Sequence, residues 1–148
     1  TPICFEATVS SVCRSLVARG RERHAGVMIN ITNDGWFGSS QGGREAHLQN
    51  ARWRCIELAT PMIRSANTGI SAVIDHRGQV IEQSVKPIGV DPKEGYIIGQ
   101  VDLGIGLTPF AYIGDLFGWM CLLASVAWGA CAIFGSGQSV QPMSNSDH

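Results

Sequence analysis

The sequence predicts an α/β layered domain that is followed by a single apolar helix. Strand-like and helix-like hydrophobic periods alternate along the first two thirds of the chain and end in several short strands, an order typical of layered α/β domains. Charge is distributed unevenly, because all 11 Lys and Arg residues lie at or before Lys93. No charged residue occurs between Asp115 and Asp147. The chain therefore divides into a polar globular part and an apolar part.

Length and composition exclude several classes of protein. A chain of 148 residues is long enough for one domain with its own core. The formal net charge of -1 argues against a protein built to bind nucleic acid, which needs a basic surface. The 5 cysteines form no Cys-x-x-Cys pair and the 4 histidines do not cluster. We therefore expect no disulfide framework, no metal site and no cofactor.

The first elements follow from apolar spacing. Residues Thr1 to Phe5 are apolar and are expected to end a buried strand. A helix follows, since one face of a 3.6-residue period carries Val9, Val12, Cys13, Leu16 and Val17. Gly20 is typical of a helix C-terminus, and the charged run Arg19 to Arg23 is expected to be a solvated connector.

The next segment predicts a strand, a loop and a second helix. Ala25 to Thr32 is apolar enough for a strand buried on both faces, and hence parallel and central. Residues Asn33 to Gly43 are dense in turn formers. A helix from Arg44 to Ala59 then ends before Pro61. Its buried face is expected to consist of Leu48, Ala51, Cys55, Leu58 and Ala59.

Beyond Pro61 the pattern is that of strands. Strands are predicted at Met62 to Ala66, Ile70 to Asp75 and Val80 to Val85, and Asp75 to Gly78 forms the turn of the last hairpin. A Pro/Gly loop from Lys86 to Gly95 leads to a final strand, Tyr96 to Asp102.

The uncharged segment Leu116 to Phe134 predicts a transmembrane helix. At 1.5 Å per residue it would span about 28 Å, close to the thickness of the hydrocarbon layer of a bilayer. The alternative is a buried core helix, but a helix that is apolar on all sides needs a larger protein around it. The polar tail that follows is expected to be disordered.

Cys4 has the most suggestive setting of the five thiols. It lies where a strand turns into a helix, so a thiolate there would face backbone N–H groups and the helix N-terminus. The same N–H groups suit a tetrahedral oxyanion. A buried structural cysteine is the alternative for Cys4, and a simple helix-start residue is the alternative for Glu6.

Two further groups of residues invite a functional interpretation. The loop around Asn33, Trp36 and Phe37 either packs under a lid or lines a pocket, because an exposed loop has no reason to carry two adjacent aromatics. Farther along the chain, a buried ion-pair network that holds the layers together is predicted for Arg54, Glu57, Arg64 and Asn67.

Five motifs in this order resemble the apolipoprotein N-acyltransferase family, a branch of the nitrilase or carbon-nitrogen hydrolase superfamily. They are Thr1-Pro-Ile-Cys-Phe-Glu6, Asn30-Ile-Thr-Asn-Asp-Gly-Trp-Phe-Gly38, Arg52-Trp-Arg-Cys-Ile-Glu57, Arg64-Ser-Ala-Asn-Thr-Gly-Ile-Ser71 and Gly106-Leu-Thr-Pro-Phe110. The resemblance implies the C-terminal part of a nitrilase-like α-β-β-α sandwich at residues 1–112. A transmembrane helix at 113–135 and a disordered tail at 136–148 would follow.

The resemblance also implies a chemistry. Cys4 matches the nucleophile of a Glu-Lys-Cys triad, which takes an acyl chain from a phospholipid as a thioester and passes it to the α-amine of the N-terminal diacylglyceryl-cysteine of an apolipoprotein. Glu6 matches a second acidic residue, and the backbone N–H of Phe5, where the family usually has Tyr, would serve the oxyanion. Substrate-binding residues would be Asn33, Trp36 and Phe37.

The family's catalytic Glu and Lys precede the cysteine, and Lys86 and Lys93 fall in the wrong order to replace them. We therefore expect an incomplete form of the enzyme. The alternatives are a soluble-type carbon-nitrogen hydrolase, such as an amidase, and a non-catalytic membrane-anchored remnant. The resemblance implies a bacterial inner-membrane protein with its catalytic domain facing the periplasm. Its partners would be a phospholipid acyl donor, an apolipoprotein acceptor and the membrane, with no nucleic acid.

Overall fold

The computed structural model describes residues 1–85, 97–104 and 106–135. They belong to two compact units, which divide after Gly114. The helices are α1 (Ser10–Val17), α2 (Gln41–Leu58), α3 (Pro109–Ile113) and α4 (Leu116–Gly135), with short 3-10 helices at Cys4–Thr8 and Gly35–Phe37. The strands are β1 (Ala18–Arg19), β2 (Glu22–Arg23), β3 (Met28–Thr32), β4 (Met62–Ala66), β5 (Ile70–Ile74) and β6 (Val80–Val85).

A four-stranded sheet in the order β3-β4-β5-β6 forms the centre of the first unit. Strands β3 and β4 are parallel and α2 lies between them in the chain, whereas β4, β5 and β6 pair antiparallel. On the other side of β3, Ile3 makes a single parallel bridge to Ile31. The predicted mixed α/β architecture is confirmed, and the predicted positions of β4, β5 and β6 are correct to within one residue.

Helices α1 and α2 cover one face of this sheet and make the core with it. The buried core residues come from both helices and from alternate positions of the strands, as expected for a half-buried sheet. Their principal members are Cys13, Val17, Met28, Leu48, Ala51, Cys55, Leu58, Met62, Ile70, Ala72 and Ile74. The predicted buried face of the second helix is thus confirmed except for Ala59, which is only partly buried.

The opposite face of the sheet carries an isoleucine patch, which we define as Ile3, Ile29, Ile31 and Ile63. Burial alternates along β3, and Ile29 and Ile31 are 43% and 57% exposed. The prediction of a strand buried on both faces is therefore wrong for this chain, although the parallel pairing is correct. The apolar composition of β3 reflects a second face that is suited to burial but uncovered among the described residues.

Helix α2 begins three residues earlier than predicted and ends in a left-handed cap. The Ser40 hydroxyl accepts a hydrogen bond from the Gly43 N–H at 3.2 Å, which is an N-cap. Ala59 at the C-cap has φ +44°, a conformation that usually requires glycine. A Cβ at Gly43 would lie 2.6 Å from the Phe37 ring, so this glycine allows Phe37 to pack closely on the helix.

The segment Arg19 to Arg23 is exposed from Arg19 to Glu22, as predicted for a solvated connector, and only Arg23 is partly buried. It forms a two-residue hairpin, β1 and β2, turned by Gly20 at φ +61°. The Arg23 guanidinium donates to the Thr60 hydroxyl at 2.8 Å and to the Leu58 carbonyl at 3.3 Å. A cation placed on the carbonyls at the end of α2 also favours the helix dipole.

The predicted strand Tyr96 to Asp102 is absent over its described residues, 97–102. A Cβ added to Gly99 would lie 3.0 Å from the Val73 side chain, so this segment packs against β5 by a side-chain contact. Tyr96 itself, the predicted loop from Lys86 to Gly95, and the predicted disordered tail lie outside the described residues.

The second unit contains α4. Residues 116–133 have a mean hydropathy of 1.9 and none of that window is buried. By length and composition this is one helix able to cross a membrane, within the part of the chain that the structure describes.

Candidate active site

Cys4 occupies a strained turn, the elbow, which we define as Ile3 to Phe5. The strand-like contact of Ile3 with Ile31 ends here and the 3-10 helix begins at once. Cys4 has φ +47°, a left-handed conformation that costs a non-glycine residue about 1–2 kcal/mol. Such a turn persists only where its surroundings fix it, so the contacts of the elbow indicate how the thiol is held.

Two side chains hold the backbone of the elbow. The Glu6 carboxylate accepts a hydrogen bond from the Ile3 N–H at 2.7 Å. From β3, the Asn30 amide donates to the Pro2 carbonyl at 3.0 Å and to the Cys4 carbonyl at 3.4 Å. Among the contacts of the described residues, Glu6 therefore acts on the shape of the elbow.

One side-chain donor lies at the Cys4 sulfur. The Thr32 hydroxyl lies 3.5 Å from Sγ. This hydroxyl is the main cause that lowers the pKa of Cys4, and backbone N–H groups of Asn33 and Phe5 also lower that pKa, while burial and the nearby Asp34 charge oppose them. Donors that stabilise a thiolate make a cysteine a better nucleophile near neutral pH.

The buried cysteines of the core differ from Cys4 in this respect. Burial raises the pKa of Cys13 to about 11 and raises the pKa of Cys55 as well. Both side chains are fully buried and lie in the core cluster. The structure thus separates Cys4, which is partly exposed and has donors at its sulfur, from thiols that only fill space.

Beside the elbow lies a buried charged cluster of Asp34, Arg64 and His47. Arg64 Nη2 donates hydrogen bonds to both oxygens of the Asp34 carboxylate, at 3.0 Å to Oδ1 and 2.8 Å to Oδ2. His47 Nδ1 lies 2.8 Å from Asp34 Oδ1. Burial alone would raise the pKa of Asp34, but the His47 hydrogen bond and the Arg64 charge outweigh burial and lower it. Asp34 is therefore ionised in the folded protein and neutralised by Arg64.

The cluster and the elbow form one continuous network. Arg64 Nη1 donates to the Asn30 Oδ1 at 2.9 Å, and Asn30 in turn holds the elbow carbonyls. On the other side, the Thr32 hydroxyl lies 3.3 Å from Asp34 Oδ1 and also faces Cys4. The network begins and ends at Cys4, so the position of the thiol depends on the buried Arg64–Asp34 pair.

Sequence reasoning missed most of this network. Arg64 was expected to join Arg54 and Glu57, but the structure separates them into two sites. Arg54 pairs with Glu57 at 2.7 Å and donates to the Thr8 carbonyl at 3.0 Å. Local patterns carried no signal for this network, because Asn30 and Arg64 become neighbours only through the parallel register of β3 and β4.

Trp36 and Phe37 line a pocket of about 200 Å³ next to the elbow. The pocket is walled mainly by aromatic and small side chains, with one histidine. Its lining consists of Phe5, Thr8, Trp36, Phe37, Gly43, Ala46, His47 and Asn50. The third predicted substrate-binding residue, Asn33, is not part of this lining, and its Oδ1 accepts a hydrogen bond from the Gly35 N–H at 3.0 Å to fix the loop.

The arrangement suits nucleophilic catalysis by a thiol. The Cys4 sulfur accepts a hydrogen bond at the elbow and has an aromatic pocket beside it. A thiolate in this setting can attack a carbonyl carbon and hold the acyl group as a thioester. No group of three His, Cys, Asp or Glu residues that could hold a metal occurs within residues 1–85, 97–104 and 106–135.

Known proteins resemble this chain over most of its length. A model of the carbon-nitrogen hydrolase family matches residues 1–105. The apolipoprotein N-acyltransferase of Geobacter metallireducens is 33% identical over 130 residues, which is 88% of this chain and 23% of that protein. The apolipoprotein N-acyltransferase of Bradyrhizobium diazoefficiens is 42% identical over 114 residues, which is 77% of this chain and 19% of that protein. This chain spans about a fifth of the length of these relatives.

Proposed function

The chain belongs to the carbon-nitrogen hydrolase family, and we propose that it carries the nucleophile of an apolipoprotein N-acyltransferase. The observation that carries this proposal is the setting of Cys4: a partly exposed thiol on a strained elbow, with the Thr32 hydroxyl 3.5 Å from its sulfur. The named acyltransferase relatives support the reaction class.

The proposed reaction has two steps through Cys4. The thiolate attacks the carbonyl carbon of a phospholipid ester, a C–S bond forms, and the lysophospholipid leaves as an alcohol after it takes a proton. The amino nitrogen of the acceptor, the N-terminal diacylglyceryl-cysteine of an apolipoprotein, then attacks the thioester. A C–N bond forms, the C–S bond breaks, and the proton lost by nitrogen returns to the thiol.

Individual residues have proposed roles in these steps. The Phe5 N–H donates to the oxyanion, as backbone donors do in acyl transfer. Glu6 is a positioning residue that acts through the Ile3 N–H. Trp36 and Phe37 bind substrate in the pocket, and Asn33 contributes its backbone N–H at the sulfur.

We infer that the general base and the oxyanion lysine of the family come from outside this sequence. No residue of the chain matches them in order along the sequence, and Lys86 and Lys93 lie outside the described residues. We further propose that α4 anchors the chain in the bacterial inner membrane with the Cys4 unit on the periplasmic side. The apolarity of α4 supports the anchor.

A fusion protein tests this function. The chain replaces the matching 114 residues of the Bradyrhizobium relative, and membranes that contain the fusion are incubated with phospholipid. We expect a hydroxylamine-sensitive acyl adduct on Cys4 by mass spectrometry. The 148-residue chain alone should form none, because the proposed base is supplied by the rest of the fusion.

Two variants of the fusion serve as controls. Cys4→Ala should abolish the adduct, and Cys121→Ala, in α4, should retain it. An adduct that persists in the Cys4→Ala fusion would reject Cys4 as the nucleophile. An acyl-free fusion that is folded and membrane-bound would reject the acyltransferase function.

A further inference from the structure

Arg44 is a buried cation without a carboxylate partner among the residues that the structure describes. It lies in the first turn of α2 and is 7% exposed. None of the ion pairs within residues 1–85, 97–104 and 106–135 includes it. A guanidinium keeps its charge in proteins, and a buried charge is unfavourable unless hydrogen bonds replace its water. The structure supplies the Gly38 carbonyl, to which Arg44 Nη2 donates at 2.7 Å.

The sequence around Arg44 is unfavourable for the start of a helix. A cation near a helix N-terminus opposes the dipole, and glycine is a poor helix former. Both occur in the first turn of α2, which reads Gln41-Gly-Gly-Arg44. A Cβ at Gly43 would lie 2.6 Å from the Phe37 ring. Residues that break local rules together often serve a function, and here Gly43 and Arg44 both contact the preceding loop.

This loop contains the turn that carries Trp36 and Phe37. The 3-10 helix Gly35–Phe37 ends at Gly38, whose N–H donates to the Gly35 carbonyl at 3.1 Å. Phe37 is partly buried, whereas Trp36 is 71% exposed and its ring lies 6.3 Å from that of Phe37 between centroids. Because Trp36 has so little burial of its own, the position of its ring depends on how the turn is held.

We propose that Arg44 is a positioning residue for substrate binding, which fixes the turn of Trp36 and Phe37 through the Gly38 carbonyl. The inference rests on the proposed function, in which these two aromatics bind substrate. Both line the pocket beside the elbow, and the described lining does not include Arg44. Arg44 therefore acts through the turn. If the turn moved away, the buried guanidinium would lose this acceptor, and that loss favours the turn as it stands.

Hydrogen exchange on the 148-residue chain in phosphatidylcholine nanodiscs tests the contact. The probes are the amides of Gly38 and Ser40, which both donate to carbonyls of the turn. In Arg44→Met they should exchange about tenfold faster, the contribution of one hydrogen bond to a charged group. The amides of Ala51 and Leu58, which lie in the core, should keep their rates, because removing a buried charge that has no carboxylate partner need not weaken the fold.

Arg52→Met is the matched control. Arg52 lies on the same helix, and its Nε donates to another glycine carbonyl, that of Gly78, also at 2.7 Å. This variant should leave the exchange of the Gly38 and Ser40 amides unchanged. It should instead accelerate exchange of the Gly78 amide, which donates within the turn between β5 and β6.

Two results of the exchange measurement would overturn the inference. One is an unchanged rate at the Gly38 and Ser40 amides of Arg44→Met. The other is an equal acceleration at Ala51 and Leu58, which would make Arg44 a residue that supports the whole fold.

The fusion protein tests the effect on substrate binding. Initial rates of adduct formation on Cys4 are measured against phospholipid concentration. Arg44→Met should raise the half-saturating concentration by about two- to tenfold, since exposed turns open easily and the apparent affinity falls with the competent fraction. The saturating rate should stay the same, because Cys4 is held by Asn30 and Thr32. An unchanged half-saturating concentration would overturn the inference.

The two hypotheses fail separately. If the unsubstituted fusion protein forms no thioester, the proposed function is rejected, while hydrogen exchange still measures the hold of Arg44 on the turn. If the thioester forms normally and Arg44→Met leaves its dependence on phospholipid concentration unchanged, the positioning role alone is rejected.

Discussion

Replacing Thr32 with Val should raise the pKa of Cys4 and slow its reaction with electrophiles. The hydroxyl has one proton and two acceptors, since it lies 3.5 Å from Cys4 Sγ and 3.3 Å from Asp34 Oδ1. When Cys4 is a thiol, Asp34 is the stronger acceptor. When Cys4 is a thiolate, the proton can turn to sulfur and stabilise it. Valine has nearly the same shape and no proton to offer.

The size of the effect follows from what remains at the sulfur. A hydrogen bond to a charged group contributes about 1.5–3 kcal/mol, and a long bond to sulfur at a partly exposed site lies below that range. Backbone donors from Asn33 and Phe5 stay in place. A loss of roughly 1 kcal/mol corresponds to a pKa increase of about 0.7, or about a fivefold slower alkylation below the pKa.

Iodoacetamide alkylation measured against pH provides the assay. The background carries Cys121→Ala and Cys131→Ala, because these two thiols are exposed, whereas Cys13 and Cys55 are buried. Peptide mapping gives the alkylation rate at Cys4, and the midpoint of the curve of this rate against pH gives the pKa of Cys4.

Two controls decide the interpretation of that assay. Thr32→Ser should restore the original midpoint, because it restores the hydroxyl. Thr60→Val removes another buried hydroxyl, which contacts Arg23 and the Leu58 carbonyl, and should leave the midpoint unchanged. A folded Thr32→Val protein whose Cys4 midpoint stays at the original pH would refute the role of this hydroxyl.

Three other predictions follow from the same structure. Asp34→Asn should destabilise the fold by about 3–5 kcal/mol in urea unfolding, because Arg64 keeps a buried charge without its anion. Because the pKa of Asp34 is lowered in the folded protein, its contribution to the free energy of unfolding is present above about pH 4 and is lost as the pH falls through the folded-state pKa. The free energy of unfolding of Asp34→Asn should therefore depend less on pH in that range. Ala59→Gly should stabilise by about 1 kcal/mol in thermal melts, since φ +44° suits glycine, and an unchanged melting temperature would contradict this. The chain should remain in membranes through an alkaline carbonate wash, and removal of residues from Leu116 onward should release it; recovery of the intact chain in the soluble fraction would argue against a membrane span.

Local patterns were enough to predict most of the elements. The strands β4, β5 and β6 are short segments bounded by turn-forming residues, with a glycine turn between the last two, and the periodic apolar face of α2 located its core residues. Errors occurred where the type of a residue does not determine its environment. Arg23 is charged and also stabilises the end of α2, and the isoleucine patch is apolar but uncovered in this chain.

The candidate site was predictable only in part. Cys4 could be identified because a strand-to-helix junction is a local feature, and Phe37 because two adjacent aromatics in a turn-rich loop are unusual. The partners Asn30, Thr32 and Arg64 could not, since each is an ordinary strand residue until the register of the sheet is known. Polar networks of this kind depend on long-range pairing, which periodicity does not encode.

The network that holds Cys4 also places the thiol late in the order of folding. Asn30 and Arg64, whose contact secures the elbow, are 34 positions apart and meet only after α2 has crossed over the sheet. Closing so long a loop is slow compared with forming either helix. During refolding, helical signal should therefore recover before Cys4 acquires its native reactivity. Cys4 becomes reactive only when the domain around it has folded.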